Sequence, residues 1–287
     1  MKNVIKSIIV VIAIIFSVSI EAQTKDPKLE NSLLWEISGN GLTKPSYLYG
    51  TVHMICSNDY FLTEKTNKAL DASNKLVLEA DLADPNEVAA MQKMVIGKEP
   101  LSKKLSPEQL SKLDGILKKT TGLSVQQVDN YSMMAVMSLI AMKSFGCTDL
   151  KLYEMEFIEQ AKKKNIDIAG LEKIEAQFKI LDAAYTNEEI LSVLENSNVA
   201  ETAELVKAYK QENIGDVFAI VTDKRYTSEK TKNAILDGRN RNWLKEMPKL
   251  MKDETVFFAV GSGHLGGEFG MINLLRNAGY SVKPVMN

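Results

Sequence analysis

The 287-residue chain contains only two histidines, and each stands three residues after a glycine at the end of an apolar run. The first run is Ser46-Tyr47-Leu48-Tyr49-Gly50-Thr51-Val52-His53; the second is Thr255-Val256-Phe257-Phe258-Ala259-Val260-Gly261-Ser262-Gly263-His264. A glycine at a strand end lets the backbone turn sharply or approach a ligand closely, so each histidine is delivered beyond the edge of a sheet. Imidazole is the commonest metal ligand and the usual acid or base near neutral pH. Two unrelated surface histidines have no reason to share this Gly-x-x-His setting, which points to one common site.

Carboxylates with similar placement extend the set. In Lys75-Leu76-Val77-Leu78-Glu79-Ala80-Asp81-Leu82, Glu79 and Asp81 lie two apart on an apolar strand and can share a face, although an ordinary strand end with solvated acids has the same pattern. Two imidazoles and one carboxylate with open positions suit Zn²⁺, Mn²⁺, Co²⁺ or Fe²⁺, ions that polarise a carbonyl or activate water. Glu172, at a strand-to-helix junction, reads as an outer acid or a general base, with Gln177 as a polar contact; the alternative is a solvated helix start. Arg239 and Asn240, in Asp237-Gly238-Arg239-Asn240-Arg241-Asn242-Trp243, could clamp a substrate carboxylate or carbonyl, or lie on an exposed helix face.

Gly261 to Gly266 also spells G-x-G-x-x-G, the pattern of a dinucleotide loop. The ribose-binding acid expected about 20 residues later is missing. Gly263 and Gly266 are therefore read as leaving helix-terminal N–H groups open toward a substrate carbonyl or oxyanion. Ser262 lacks the G-x-S-x-G spacing of a nucleophile elbow. Cys56, three residues from His53, would be a thiol nucleophile only if it is not paired.

The elements that carry these residues are legible from patterning. Strand signals fall at Leu33–Ser38, Tyr47–Val52, Lys75–Asp81, Ile166–Gly170, Thr255–Val260 and Tyr280–Val285, the first two joined as a hairpin by a Gly-Asn-Gly turn. Asp84, Ser106 and Thr186 each offer an N-cap with Glu or Gln three residues on. Helical patterning dominates from about Pro85 to Phe145 and from Ile174 to Met247, and a further helix is expected over Glu268–Ala278 with Gly279 as its C-cap. The predicted fold class is α/β (α+β): a mixed central β-sheet surrounded by helices, with helical insertions between strands. The methionines of Tyr131–Met142 read as adaptable core packing rather than a Cu(I) site.

With 45% apolar residues the chain can fill a sizeable core, and 35 basic against 37 acidic residues give a net charge of −2, which argues against nucleic acid as a partner. Lys2 and Lys6 precede an apolar run from Ile8 to about Val18 that ends in small and polar residues at Ala22-Gln23. This reads as a signal peptide over residues 1–22, with an uncleaved anchor as the alternative, and 23–287 as a single domain without a stable membrane span. The expected location is periplasmic or secreted. In an oxidising compartment Cys56 and Cys147 are equally readable as a disulfide worth about 4 kcal/mol or as two buried thiols.

The segments YGTVHM, LVLEADL, GLEKIEAQ, RNRNW and VGSGHLGGEFGMINLLRNAGYSVKPV follow one another as in the TraB/GumN family, which includes TIKI-like metalloproteases; the resemblance spans about Leu33 to Val285. It implies an erythromycin-esterase/ChaN-like α/β domain with metal-dependent peptidase activity on a peptide or protein substrate. The implied cofactor is a divalent transition metal, Mn²⁺ or Co²⁺ first and Zn²⁺ next. Position by position, the implied metal ligands and catalytic residues are His53, Glu79 and His264, and Arg239 and Asn240 match the family's RN element. The runner-up is a non-enzymatic protein of the same fold that binds metal, haem or peptide, since two histidines suffice to ligate haem.

Overall fold

Apolar runs bracketed by turn residues form most of the strands in a computed structural model, which describes residues 29–286. The expected leader, residues 1–22, lies outside them. The strands are β1 Leu34–Ser38, β2 Ser46–Thr51, β3 Met54–Cys56, β4 Lys75–Ala80, β5 Leu150–Leu152, β6 Asp167–Glu172, β7 Val256–Gly261 and β8 Ser281–Pro284. Six of them make one sheet in the order β6-β4-β7-β2-β1-β8, and β3 pairs with β5 as a separate two-stranded ribbon. β2, β7, β4 and β6 run parallel, while β1 is antiparallel to both β2 and β8. The architecture is the mixed central sheet with flanking helices expected of the sequence.

The continuous apolar character of Val256–Gly261 and Leu76–Ala80 follows from burial: every residue of β7 is buried, as is all of β4 after Lys75. Strands that read this way are covered on both faces. One large core holds the sheet and its neighbouring helices, with Tyr49, Phe157 and Phe257 packed together beside it. A second apolar cluster lies wholly among helices and includes Leu113, Leu117, Val136, Ile140, Ile190 and Leu194. Met133 belongs to it, whereas Met142 is exposed, so the methionine-rich helix Met133–Ser144 buries one face rather than its full circumference.

Asp84, Ser106 and Thr186 cap their helices, the last two with reciprocal capping boxes. Two boundaries differ from expectation. The helix expected from Glu268 begins at Met271, because Ser262–His264 forms a 3₁₀ turn and Gly267 takes a left-handed φ of +82°. Glu172 closes β6 instead of opening a helix, since β6 continues its pairing with β4 to Ala80↔Glu172. β3 and β5, of three residues each, carry too short a pattern to be read from the sequence.

Cys56 and Cys147 form a disulfide with 6.1 Å between their Cα atoms. The bond ties the ribbon that follows His53 to the end of the methionine-rich helix. A cross-link that closes a loop of 91 residues stabilises by about 4 to 5 kcal/mol in the chain-entropy picture. A Cys56→Ser/Cys147→Ser variant should lose about that much against wild type in urea denaturation; an unchanged midpoint would mean that other contacts already constrain the loop.

Candidate metal centre

Three neighbouring parallel strands end side by side. β2 leads into His53, β7 leads into His264, and β4 lies between them in sequence but beside β7 in space, with Glu79 as its penultimate residue. His53 Nε2 and His264 Nε2 are each 3.8 Å from the same oxygen, Glu79 Oε1. The two Gly-x-x-His elements therefore converge on one carboxylate.

The glycines make this convergence possible by close approach rather than by a left-handed turn. A Cβ on Gly261 would stand 2.9 Å from His53 Nε2 and 3.2 Å from Glu79 Oε1, and one on Gly50 would stand 3.0 Å from the Cβ of Ser262. The left-handed residue is His53 itself, at φ +57°. That conformation is uncommon for a residue with a side chain and concentrates at functional sites.

His264 is 4% exposed, and every edge of its ring is used. Asn240 Nδ2 donates to the backbone oxygens of His264 (3.1 Å) and Phe269 (2.8 Å), which orients the amide so that its Oδ1 accepts from His264 Nδ1–H at 2.6 Å. The ring is thereby fixed with its lone pair on Nε2, where the Arg239 guanidinium donates at 3.0 Å. Trp243 packs against the imidazole with centroids 4.3 Å apart, and Arg239 lies over the same indole. Burial, opposed by Glu79 but aided by the positive Arg239, lowers this histidine to about 3. His264 is neutral at physiological pH.

Glu79 is the centre of the network. Its Oε1 accepts from Gly261 N–H at 2.7 Å, and its Oε2 accepts from Gln177 Nε2 at 2.8 Å and Arg239 at 2.5 Å. Burial would raise the acid, but Arg239, the two imidazoles and the Gly261 N–H hold it well below the usual carboxylate range. Arg239 also donates two bonds to Glu172 Oε1, from Nε at 3.0 Å and from its terminal nitrogen at 2.5 Å. Burial raises Glu172 despite that guanidinium.

The His53 side chain is about half exposed, at 52%. Its Nδ1–H donates at 2.9 Å to Glu154 Oε1, which also accepts from Thr51 Oγ1–H at 2.8 Å. Loss of solvent disfavours the charged ring, but the charge and hydrogen bond of Glu154, with Glu79 behind them, raise it to about 9. The two rings therefore differ in charge, His53 held cationic and His264 neutral.

Several residues singled out from the sequence are brought together: His53, Glu79, His264, Glu172, Gln177, Arg239 and Asn240. Arg239 and Asn240, expected to meet substrate, are 5% and 1% exposed and hold Glu79, Glu172 and His264 in place. A π turn, Asn233–Asp237, immediately precedes them and opens the helix Gly238–Met251 whose buried face they form with Trp243. Asp81 falls outside the cluster, past the end of β4, where it accepts from Ala83 N–H at 2.9 Å. Gly263 and Gly266 face Val221 and Phe218. Ser262 is 3% exposed and Cys56 is bonded to Cys147, so neither offers a nucleophile. Glu154 and Thr51 had no sequence signal: Glu154 is one of two acids in a helix's first turn, and nothing local separates it from Glu156.

The donor set suits a divalent metal. Both imidazoles carry a partner on Nδ1 that leaves Nε2 to face Glu79, the arrangement in which protein-bound metals are held. Ligands about 2.1 Å from one ion lie about 3 to 4 Å from each other, and both N–O separations are 3.8 Å. Among the described residues no group of three or more His, Cys, Asp or Glu is placed so that it could hold a metal ion without rearrangement. The contact an ion would displace is the Arg239 hydrogen bond on His264 Nε2. Glu79, Glu154 and Glu172 against one guanidinium leave a formal charge of −2, which a divalent ion cancels.

A model of the TraB/PrgY/gumN family matches residues 33–284. The chain is 24% identical over 328 residues to a Danio rerio protein named metalloprotease TIKI1, covering 91% of this chain and 65% of the relative. It is 24% identical over 319 residues to the Xenopus tropicalis metalloprotease TIKI1, covering 88% of this chain and 61% of the relative. The Xenopus tropicalis metalloprotease TIKI2 is 23% identical over 320 residues, with 88% and 60% covered. The chain spans under two thirds of the length of these curated relatives.

Two outcomes follow from the geometry. In metal-free protein at pH 7, long-range ¹H–¹⁵N spectra should show His53 doubly protonated and His264 neutral with its proton on Nδ1. Because His264 is lowered to about 3, the stability it contributes is complete above its unfolded value near 6.5 and is lost as pH falls toward 3. Because His53 is raised to about 9, its contribution is complete below 6.5 and is lost as pH rises through 9. Two rings titrating alike near 6.5 would contradict the assignment. Separately, Gly261→Ala should cost about 1 to 3 kcal/mol from overpacking and displace the His53 ring, read by denaturation and by a changed His53 Nε2 resonance.

Proposed function

The chain belongs to the TraB/PrgY/gumN family, and from that premise we propose that it is a metal-dependent protease with His53, Glu79 and His264 as metal ligands. The observation that carries the reading is the convergence of both Nε2 atoms on Glu79 Oε1, 3.8 Å from each. The relatives named metalloproteases support a divalent metal and a protein substrate. Family resemblance favours Mn²⁺ or Co²⁺, and two imidazoles with a carboxylate also suit Zn²⁺.

Bound there, the metal supplies a Lewis acid for a peptide carbonyl and an activated water. The chain's own groups do the holding. Asn240 keeps the His264 lone pair on Nε2, and Trp243 closes the ring off from solvent. Glu79, met by three donors with acceptor capacity left on Oε1 and held ionised, is suited to be a ligand rather than a proton carrier. Glu172 anchors Arg239, so that the guanidinium retains a partner when it leaves His264 Nε2. The half-exposed His53 marks the side from which a substrate reaches the centre.

The haem-binding alternative is not favoured. Both imidazole nitrogens lie 3.8 Å from one carboxylate oxygen, and the buried Glu79–Arg239 pair beside them would have to be displaced for both rings to ligate haem. Work outside the cytosol, periplasmic or extracellular, agrees with the Cys56–Cys147 disulfide. Among the described residues no helix is long and apolar enough to cross a membrane.

Metal analysis of the purified protein, coupled to cleavage of a peptide library with added Mn²⁺, Co²⁺ or Zn²⁺, tests the proposal. Wild type should bind about one equivalent and cleave in a chelator-sensitive way. His53→Ala and His264→Ala should each weaken binding by about 100-fold or more, beyond the usual loss for an outer partner. A double variant that keeps its metal would remove the reading.

A further inference from the structure

Glu154 reaches the centre by a route that none of the other site residues uses. β5 pairs with β3 through Met54↔Leu152, Tyr153 N–H then donates to the His53 backbone oxygen at 2.8 Å, and the helix Tyr153–Lys164 begins. The next residue in that first turn is Glu154, only 9% exposed. A buried carboxylate is costly unless it is paired and hydrogen-bonded. Its Oε1 takes the hydrogen bonds of Thr51 Oγ1 (2.8 Å) and His53 Nδ1 (2.9 Å), and its ion-pair partner among the described residues is His53. Both bonds go to the end of β2, where His53 is held at φ +57°.

The two histidines differ in this respect. His264 gives its Nδ1–H to a neutral amide, Asn240, whereas His53 gives its own to a carboxylate. A carboxylate on Nδ1 fixes the tautomer and increases electron density at Nε2, making that imidazole the stronger donor. We propose that Glu154 is a positioning residue that sets the affinity of this centre for its divalent metal by presenting His53 Nε2 toward Glu79. The inference rests on the metal-centre reading above, and it assigns the tighter nitrogen ligand to the more exposed histidine.

Glu154→Gln keeps an acceptor near Nδ1 and removes the charge. The pH-independent dissociation constants for Mn²⁺ and Zn²⁺, extracted from a pH series of competitions with a chromophoric chelator so that the proton on His53 Nε2 is accounted for, should weaken about 10- to 100-fold in this variant. Thr51→Val, which removes the neighbouring hydrogen bond but leaves the carboxylate on His53, should stay within about threefold of wild type as outer-shell geometry is kept. Equal affinity in Glu154→Gln and wild type overturns the role of Glu154 alone; a wild type that binds neither ion overturns the metal-centre reading itself. Long-range ¹H–¹⁵N spectra of Zn²⁺-loaded wild type give a second arm that needs no variant to fold. His53 should carry its proton on Nδ1 and the metal on Nε2, and the reverse assignment overturns the proposal.

Discussion

The Glu79 carboxylate, buried at the end of a central strand, is the constraint around which the rest of the site is arranged. An ionised acid out of water is tolerated only when its oxygens are met by donors or cations. Here those partners come from four separate parts of the chain: the Gly261 backbone, Gln177, Arg239 and the two histidines. Each is delivered by a different element, so the sheet order β4-β7-β2, the helix carrying Gln177 and the helix carrying Arg239 must all be in register for the charge to be met. Removing one partner would leave the carboxylate under-compensated, which is why the fold and the site cannot be separated energetically.

One local motif, used twice, gives two chemically different side chains. Both histidines follow Gly-x-x at the end of a parallel strand, yet His264 is driven neutral by burial beside a guanidinium and His53 is driven cationic by a carboxylate. The motif positions a ring; burial and the charged groups beside it decide its charge. The surroundings differ because β7 is interior, with β4 and β2 on either side and Trp243 over its end, whereas the end of β2 opens toward the β3–β5 ribbon.

The legible part of the site was the part encoded in short, periodic sequence. Gly50, His53, Gly261 and His264 announce themselves by spacing, whereas the strand pattern offers Glu79 and Asp81 alike and only the family resemblance separates them. The hairpin of β1 and β2 and the capped helices were legible for the same reason: local chemistry determines them. Glu154 was not, because its meeting with His53, 101 positions away in sequence, depends on the pairing of two strands of three residues each. The inward direction of Arg239 and Asn240 was equally hidden, since two adjacent polar residues on a helix normally face water and only the preceding π turn and the buried acids draw both inward. The misread start of the last helix has a different cause: capping patterns do not register that Phe218 and the loop's own carbonyls pack against Gly266, Gly267 and Gly270.

Arg239 is best understood through the same balance of charge. Two carboxylates on the guanidinium and a third, Glu154, on His53 leave the centre short of positive charge, and the proton held by His53 supplies part of the deficit. A divalent ion between His53, Glu79 and His264 would supply all of it, making that proton unnecessary and placing a like charge beside the guanidinium. Arg239 sits with one nitrogen on the lone pair an ion would take and its other two on Glu172. It can give up the first contact and keep the others, so the site can exchange a hydrogen bond for a metal bond without leaving a buried cation unpaired. In such an exchange Glu172, raised by burial and bonded to Arg239, would be the anchor that keeps the arginine close to the centre yet clear of an ion.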